Sequence, residues 1–583
     1  MSGRIGLRIP LHTMAYRYVS RFLLVSLNID AILHESTISR RREKLRKMTN
    51  GLELGDVYDA TIERIKAQEG DKSRLGMATL MWISHAERPV EADELCHALA
   101  VQLGSIDFDF SNIPSMLTLV SCCQGLVTVD KEGSTVRLVH FTLQEYISSR
   151  PDIFSNPQSA IAEICLTYLN SQLVKALSIA PSPDTRNAPF LEYCSLYWGV
   201  HAKRELSDYG ISLAVELLKE NYCQISTELL LTRVDNFYGL HFDTSAFSGL
   251  HCASFFGIVE VVAGLIDMGC YDINEGDSLG CTPLAWAARN GHDELVEMLL
   301  GREEVNPDKA DKCGQTPLSF AAQQGQEGAV KMLLGREGVN PHKPSRDGQT
   351  PLSVAAWYGH GEVVKTLLER EEVQSDRPDN DDQTPLSYAA WNGHEGVVKI
   401  LLEREEVNPD KADNGGRTPL SLAAKYGHER VVEMLLEREK VIPDRPDNGG
   451  QTALSLAAKN GHEAVVKILL KREEVIPDRP DNGGRTPLSL AAQQGHEGVV
   501  KILLGRNGVN PDKPSRSGET PLLFATWHGH EGVVKILLGR EDVIPDSLDN
   551  DDQTPLSYAT QNKHDTVVAL LQSRKVETPN TII

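Results

Sequence analysis

The segment "TPLSLAAKYGHERVVEMLLEREKVIPDRPDNGG", residues 418–450, decides how this chain folds, because residues 452–484 nearly repeat it as "TALSLAAKNGHEAVVKILLKREEVIPDRPDNGG". Its first threonine recurs at one constant interval, and Ser248 takes that place one period before the first of them. The recurring residues are Thr282, Thr316, Thr350, Thr384, Thr418, Thr452, Thr486, Thr520 and Thr554. A fixed period of about 34 residues is typical of an array of stacked units. The sequence therefore predicts about ten units within residues 244–575.

Each unit reads as two short helices followed by a finger of turn residues. Thr418-Pro419 predicts a helix start, because threonine caps a helix and proline fits its first turn. Gly427-His428 then breaks that helix, and a second one starts at Glu429. Its apolar residues share one face; they are Val431, Val432, Leu435 and Leu436. The segment "VIPDRPDNGG" is rich in turn residues. Two short helices cannot bury their apolar faces alone, so neighbouring units must stack.

The letters "TPLSLAAKYGH" and "VVEMLL" resemble the ankyrin repeat, and the resemblance covers more than half of the chain. It implies a solenoid of about ten repeats whose concave groove holds protein partners. Three departures from the family pattern concern the finger and the helix ends. Ser421 replaces the usual histidine, "REEV"-like text replaces a glycine after the second helix, and the unit is one residue longer than is usual in the family.

The region before the repeats has a different organisation. The sequence predicts helices at about 73–85, 91–101 and 112–123, with a break at Pro89. Two β-rich runs then flank Glu132-Gly133, which indicates a hairpin, and another helix begins at Thr142. Helices followed by a two-stranded wing indicate a winged-helix domain at residues 71–150. Residues 151–243 are predicted to form a helical bridging region, interrupted by a loop at 178–189, that caps the first repeat.

Three segments, "FLLVSLNIDAIL", "LMWISHAERPV" and "GLVTVDKEGSTVRLVHFTLQEYI", resemble the region that follows the nucleotide-binding module in fungal NACHT–ankyrin proteins. The resemblance implies that residues 1–70 are a helical remnant or linker after such a module. No GxxxxGK[ST] motif occurs, and the dipeptide Gly-Lys is absent from the sequence. The predicted fold is thus mainly α, an ankyrin-repeat solenoid after a helical region with a winged-helix domain. Residues 576–583 are predicted to be a disordered tail.

Composition excludes several classes of partner. The net charge of −22 repels phosphate backbones and anionic membrane surfaces, so neither nucleic acid nor a membrane is an expected partner. The ten cysteines contain no CxxC pair, which favours reduced thiols in a cytoplasmic protein. The stretch before Asp30 is basic and free of acidic residues, so a targeting signal is the alternative.

Few residues are candidates for chemistry. His140 resembles the phosphate-contacting histidine of a Met-His-Asp motif, although Phe141 replaces the aspartate. The alternative is a histidine bonded to backbone at a strand end. The histidines that recur after the turn could form a metal ladder, but one histidine per layer cannot share an ion, which favours local hydrogen bonding. No nucleophile elbow, HExxH or phosphate loop is present. The sequence therefore predicts no enzyme, no cofactor and no metal.

The repeats differ mainly at two positions, which follow "AA" or "AT" in the first helix. In the ankyrin family these positions line the concave groove. The resemblance therefore implies a partner-binding set of Arg289, Gln323, Trp357, Tyr358, Trp391, Lys425, Tyr426, Lys459, Gln493, Trp527 and His528. Among them, Trp357, Tyr358 and Trp391 are expected on one patch, about 10 Å apart. The alternative is neutral drift at exposed positions.

The fingers carry a cation at corresponding positions, directly after an aspartate. These residues are Lys309, Lys411, Arg445, Arg479 and Lys513. They could form a basic row for a partner, but the adjacent aspartates favour a solvated, self-paired face.

Two functions are consistent with these observations. The first is a non-enzymatic protein-interaction scaffold, the ligand-sensing arm of a NACHT–ankyrin receptor without its ATPase. The alternative is one part of a nucleotide-driven switch whose P-loop half is missing from this chain. The identity of the partner does not follow from the sequence.

Overall fold

A computed structural model describes residues 37–40, 42–43, 54–105, 107–130, 134–178, 185–219, 226–232 and 246–577. The chain divides into two compact units, Met1–Ser278 and Leu279–Ile583. The predictions for residues 22–33, for the hairpin turn and for residues 179–184 of the loop at 178–189 lie outside the described residues. No helix among the described residues is long and apolar enough to cross a membrane.

The first unit contains a small antiparallel sheet with strands β1 (Val90–Glu91), β2 (Val127–Val129) and β3 (Thr135–Leu138). β3 lies in the centre, between β1 and β2. The helices around the sheet are Leu54–Lys66, Asp71–His85, Ala92–Ala100, Met116–Cys122 and Phe141–Ser148. This arrangement is a winged helix, and the predicted helices and two wing strands are present. β1 was not predicted, because a strand of two residues has no readable periodicity.

The bridging region shares its core with the winged helix. Trp82 is fully buried, and its ring centroid lies 5.4 Å from that of Phe190 and 5.7 Å from that of Tyr193. The Tyr193 hydroxyl is 2.9 Å from Nε2 of His201, and burial lowers the pKa of His201 to about 4. The imidazole is therefore neutral at pH 7. The bridging helices are Pro157–Leu169, Gln172–Ser178, Leu191–Arg204 and Asp208–Lys219.

The helix Asp208–Lys219 covers the first repeat, whose helices are Gly249–Phe256 and Val259–Asp267. The Tyr271 hydroxyl donates a hydrogen bond of 2.6 Å to the carbonyl of Leu218. A side chain at Gly249 would lie 2.1 Å from that same carbonyl oxygen, so only glycine allows this approach. The apolar first repeat is therefore capped from within its own unit.

The second unit repeats one pair of helices nine times in its described part. The first helices are Pro283–Arg289, Pro317–Gln324, Pro351–Tyr358, Pro385–Asn392, Pro419–Tyr426, Ala453–Lys459, Pro487–Gln494, Pro521–His528 and Pro555–Gln561. The second helices are Asp293–Leu300, Glu327–Gly335, Gly361–Leu368, Glu395–Leu402, Glu429–Leu436, Glu463–Leu469, Glu497–Leu504, Glu531–Leu538 and Asp565–Glu577. The last helix includes residues 576 and 577, so the prediction of disorder from residue 576 is wrong there. Residues 578–583 lie outside the described residues.

Capping hydrogen bonds and buried apolar side chains explain why each helix pair forms. Thr418 Oγ1 accepts from the backbone N–H of Ser421, and Ser421 Oγ donates back to the carbonyl of Thr418. Ser421 thus closes the helix start without the histidine that is usual in the family. The side chains Leu420, Ala423, Ala424, Val431, Val432 and Leu435 are all at most 1% exposed. First helices pack on first helices and second helices on second helices along the second unit.

The turn glycine and the histidine after it form a joint between repeats. Gly427 has a φ of +82°, and a side chain there would lie 2.5 Å from the His462 ring of the next repeat. His428 makes the equivalent contact one repeat earlier, where its Nε2 lies 2.9 Å from the carbonyl of Trp391. The same bond recurs from His360 to His564. The histidines therefore bond between repeats, whereas local bonding within each turn was predicted.

Replacing His428 by alanine is expected to cost about 1–3 kcal/mol of unfolding free energy, because the Trp391 carbonyl loses its donor in a partly buried joint. His428→Gln is the matched control, since Gln326 already makes this bond to Arg289 in another repeat. Glutamine should restore at least half of the loss in urea unfolding. Equal losses for both variants would show that this hydrogen bond contributes little.

The fingers are also connected from repeat to repeat. Asn448 Nδ2 donates to the carbonyl of Asn414 at 2.9 Å, and the asparagines on either side repeat the bond. Arg404, from the "REEV" text that replaces a glycine, donates to the carbonyl of Leu368 in the preceding repeat. The "REEV" text, a departure from the family pattern, therefore connects neighbouring repeats in this chain.

The two arginines of the predicted basic row are ion-paired, but to the preceding repeat instead of to the adjacent aspartate. Arg445 lies 3.0 Å from Asp410, and Arg479 lies 2.9 Å from Asp444. Burial raises the pKa of Asp444 in spite of the guanidinium beside it. The carboxylates of these pairs are less than a tenth exposed. These cations therefore join repeats and are poor contacts for a partner.

Candidate functional site

The two variable positions lie at the end of each first helix. We define the first-helix face as these positions together with the residue before each recurring threonine. On this face Tyr358 is 47% exposed and Trp527 40%, whereas the alanines one turn earlier are buried. Trp357, Trp391 and Lys425 are half-buried. The variation therefore falls on side chains that solvent reaches, at positions where the fold tolerates several residue types.

Side chains of four consecutive repeats enclose a pocket on this face. Its volume is about 440 Å³. Four of the predicted partner-binding residues line the pocket, namely Gln323, Trp357, Tyr358 and Trp391. The remaining lining residues are Gln315, Gln349, Val354, Asp381, Gln383, Tyr388 and Arg417. The pocket is thus mainly aromatic rings and side-chain amides, with one exposed carboxylate.

The rings form a continuous surface. The centroids of Trp357 and Trp391 are 5.5 Å apart, so the wider separation expected from the spacing of the helices is wrong. Trp357 also lies edge-on to Tyr388 at 5.0 Å, and Trp391 stacks on Tyr426 at 5.6 Å. The rings are closer than the repeats that carry them because long side chains lean towards one another. Each indole therefore packs on a neighbour and still borders the pocket.

Hydrogen bonds fix the polar walls of the pocket. The Tyr388 hydroxyl donates to Asp379 and accepts from Gln349. Burial, with the bond to Asp379, raises the pKa of Tyr388, so the phenol remains protonated. Gln383 donates to Asp413 at 2.7 Å. Its buried Oε1 accepts no hydrogen bond within the described part of the chain.

Arg417 has two partners at the edge of the pocket. Its guanidinium lies 2.8 Å from Asp413 and 5.7 Å above the Trp391 ring. A cation over an indole face is attracted by the ring quadrupole. Arg417 therefore holds Trp391 in place and brings no uncompensated charge to the pocket.

Other predicted residues lie outside this pocket. Lys425, Tyr426, Lys459 and Gln493 continue along the same face in the following repeats. Trp527 stacks on Tyr558 at 4.8 Å, and His528 is exposed beside it. The structure thus brings four of the predicted residues together in one pocket and leaves a second aromatic site at the end of the array.

Arg289 is buried, although it belongs to the predicted partner-binding set. It is only 5% exposed, and its guanidinium lies 5.4 Å from the ring centroids of both Trp286 and Phe320. Two large rings cover it, whereas most other repeats carry smaller aliphatic residues there. Arg289 is therefore a packing residue and is not available to a partner.

His140 is the helix cap of Phe141–Ser148. Its Nδ1 accepts from the backbone N–H of Thr142 at 3.3 Å and lies 2.8 Å from the Thr142 hydroxyl. This geometry matches the prediction of a histidine that is bonded to backbone. The described residues contain no group of three potential metal ligands.

Sequence reasoning missed the inner walls of the pocket. Tyr388 occupies a first-helix position that carries Val354 and Leu422 in the neighbouring repeats, so the repeat pattern does not distinguish it from a core residue. The tyrosine itself is the sequence feature that identifies this position, because a phenol in an apolar position needs a hydrogen-bond partner. Gln349 and Gln383 directly precede recurring threonines, outside the two positions that were predicted to bind a partner.

Two known domain families match the sequence. Ankyrin repeats, described in sets of three copies, match residues 212–311, 299–379, 370–447, 440–515 and 500–580. The winged-helix domain of GPI inositol-deacylase matches residues 62–161. No curated protein has a significant match to the chain.

Proposed function

The chain belongs to the ankyrin-repeat family, and from that premise we propose that it is a non-enzymatic scaffold that binds a protein partner on its first-helix face. One observation carries the proposal. Side chains that differ between repeats build the pocket around Trp357 and Trp391, while the frame beneath them repeats the same caps and joints. Aromatic residues that border a pocket are typical anchors of protein interfaces.

Affinity capture tests this function. The purified chain and a double variant, Trp357→Gln with Trp391→Gln, would be used as baits in native lysate, with quantitative mass spectrometry. Glutamine occupies the same position in other repeats, at Gln323 and Gln493. Lys399→Gln, exposed on the second helix of the same repeat, is the matched control. The partner should be enriched by the wild type and the control only. Equal enrichment by all three baits would contradict the proposal.

We propose further that the chain acts as the sensing arm of a receptor of the NACHT–ankyrin type. The winged-helix match at residues 62–161 supports this role, as does the resemblance of the region before the repeats to such receptors. The cysteine pattern supports a cytoplasmic location. The alternative, a switch with its P-loop on another chain, would use the same winged helix.

The purified chain is expected not to bind ATP or ADP. Nucleotide phosphates need a glycine-rich backbone cradle and a lysine, and the sequence contains no Gly-Lys dipeptide. Isothermal titration calorimetry with ATP and magnesium should show no binding heat. A micromolar isotherm would contradict this expectation and would favour a nucleotide-driven switch.

A further inference from the structure

The first-helix face has a charge pattern that the net charge of the chain does not suggest. Lys425 and Lys459 occupy equivalent positions in adjacent repeats, directly after Trp391 in that series. Neither lysine forms an ion pair within the described residues, and only the Lys425 ammonium has a close ring contact, 5.1 Å from Tyr426. The neighbouring arginines are different, because Arg417 and Arg485 are paired with aspartates of their own fingers.

Two ammonium groups without an ion-pair partner among the described residues therefore lie in consecutive repeats. Two acidic side chains lie outside this stretch: Asp381, a finger residue that lines the aromatic pocket, and Glu519, on the first-helix face just before the recurring Thr520. Glu519 is engaged by the hydroxyl of Ser515. A bound anionic group would thus meet two free ammonium groups next to an aromatic surface.

The spacing of these side chains sets a register for a ligand. Neighbouring first helices are separated by about 8–10 Å, and an extended peptide advances about 3.3 Å per residue. One repeat therefore corresponds to about three ligand residues. Along the array the equivalent positions are Trp391, Lys425 and Lys459, which would be met by residues three apart.

We propose that the first-helix face binds an extended acidic peptide segment, in which an aromatic or large aliphatic anchor in the pocket is followed at three-residue steps by two acidic residues. The proposal rests on the proposed function and specifies its partner. The rings of Trp357 and Trp391 take the anchor, and the ammonium groups of Lys425 and Lys459 pair with the two carboxylates.

A peptide library provides the test. The full-length chain would select from a random peptide library displayed on phage, and enriched peptides would be synthesised with a fluorescent label. We expect an apolar anchor with Asp or Glu about three and six residues away. Enriched peptides that lack acidic residues, or that carry Lys or Arg at those places, would overturn the inference. Absence of any enrichment would overturn it too, whereas the proposed function is decided separately by capture of folded proteins.

Substitutions of Lys425 and Lys459 then test whether their ammonium groups contact the acidic residues of the peptide. Lys425→Gln with Lys459→Gln uses a residue type found at this position in other repeats, so the fold should be retained. The affinity for the selected peptide, measured by fluorescence anisotropy, should fall at least tenfold. Lys425→Glu with Lys459→Glu should reverse the preference towards peptides with lysine at the same places. The matched control is Lys467→Glu with Lys501→Glu, two exposed second-helix residues with the same spacing. An equal loss in the control, or unchanged affinity in the first variant, would overturn the inference.

Discussion

Leu435→Ala is expected to cost about 2–5 kcal/mol of unfolding free energy, the range for large-to-small changes in a packed core. Leu435 is fully buried in the second helix Glu429–Leu436, which packs on second helices of the repeats before and after it. The alanine leaves a cavity where both interfaces meet. In an array whose stability is the sum of repeats and their interfaces, this damage affects two neighbours.

Leu571→Ala provides the matched control for this prediction. Leu571 occupies the same place in the last described repeat and is 2% exposed, but its helix has a second-helix neighbour on one side only. Its loss should be smaller than that of Leu435→Ala when both are measured by urea unfolding of the full chain. Equal losses would contradict the stacked array, since burial of the two leucines is nearly the same.

Trp391→Gln is expected to weaken capture of the partner at least tenfold, which corresponds to about 1.4 kcal/mol. The indole borders the pocket and packs on Trp357 and Tyr426. Truncation of a central aromatic anchor typically costs about 2–4 kcal/mol of binding energy. The lost ring contacts should also lower stability, by about 0.5–1.5 kcal/mol for each aromatic pair. Binding and unfolding must therefore be measured on the same preparation.

Binding and unfolding measured together distinguish a binding role of the Trp391 indole from a structural one. Trp527→Gln removes a ring that stacks on Tyr558 at 4.8 Å, outside the pocket, and so controls for the loss of a stacked pair. A larger binding loss for Trp391→Gln at a similar shift in the unfolding midpoint would assign the anchor to the pocket. A strong shift of the midpoint with unchanged capture would show that Trp391 is structural.

The repeat frame was predictable because each of its residues acts within a few positions of itself. Thr418 caps the helix that it begins, and Gly427 ends that helix at a positive φ. Such local chemistry is readable from one copy, and the further copies confirm it. The ion pairs of the charged finger residues could not be predicted in this way, because the partner of Arg479 is Asp444 in the preceding repeat. No local pattern connects residues that lie a whole repeat apart.

The candidate site was predictable in part for the same reason. The variable positions identified Trp357 and Trp391, because variation on a copied frame indicates exposure. Whether a side chain reaches solvent depends on its neighbours, and two rings cover Arg289. The depth of the pocket likewise depends on Tyr388 and its hydrogen bond to Asp379. Contacts of this kind follow from packing in three dimensions.

Hydrogen–deuterium exchange of the free chain and of the chain saturated with its captured partner tests the central claim most directly. Binding at the first-helix face should slow exchange in Pro351–Tyr358, Pro385–Asn392 and Pro419–Tyr426 and in the fingers beside them. The second helices Gly361–Leu368 and Glu395–Leu402 should keep their rates. Protection confined to those second helices, or to the winged helix, would contradict a binding site on the first-helix face.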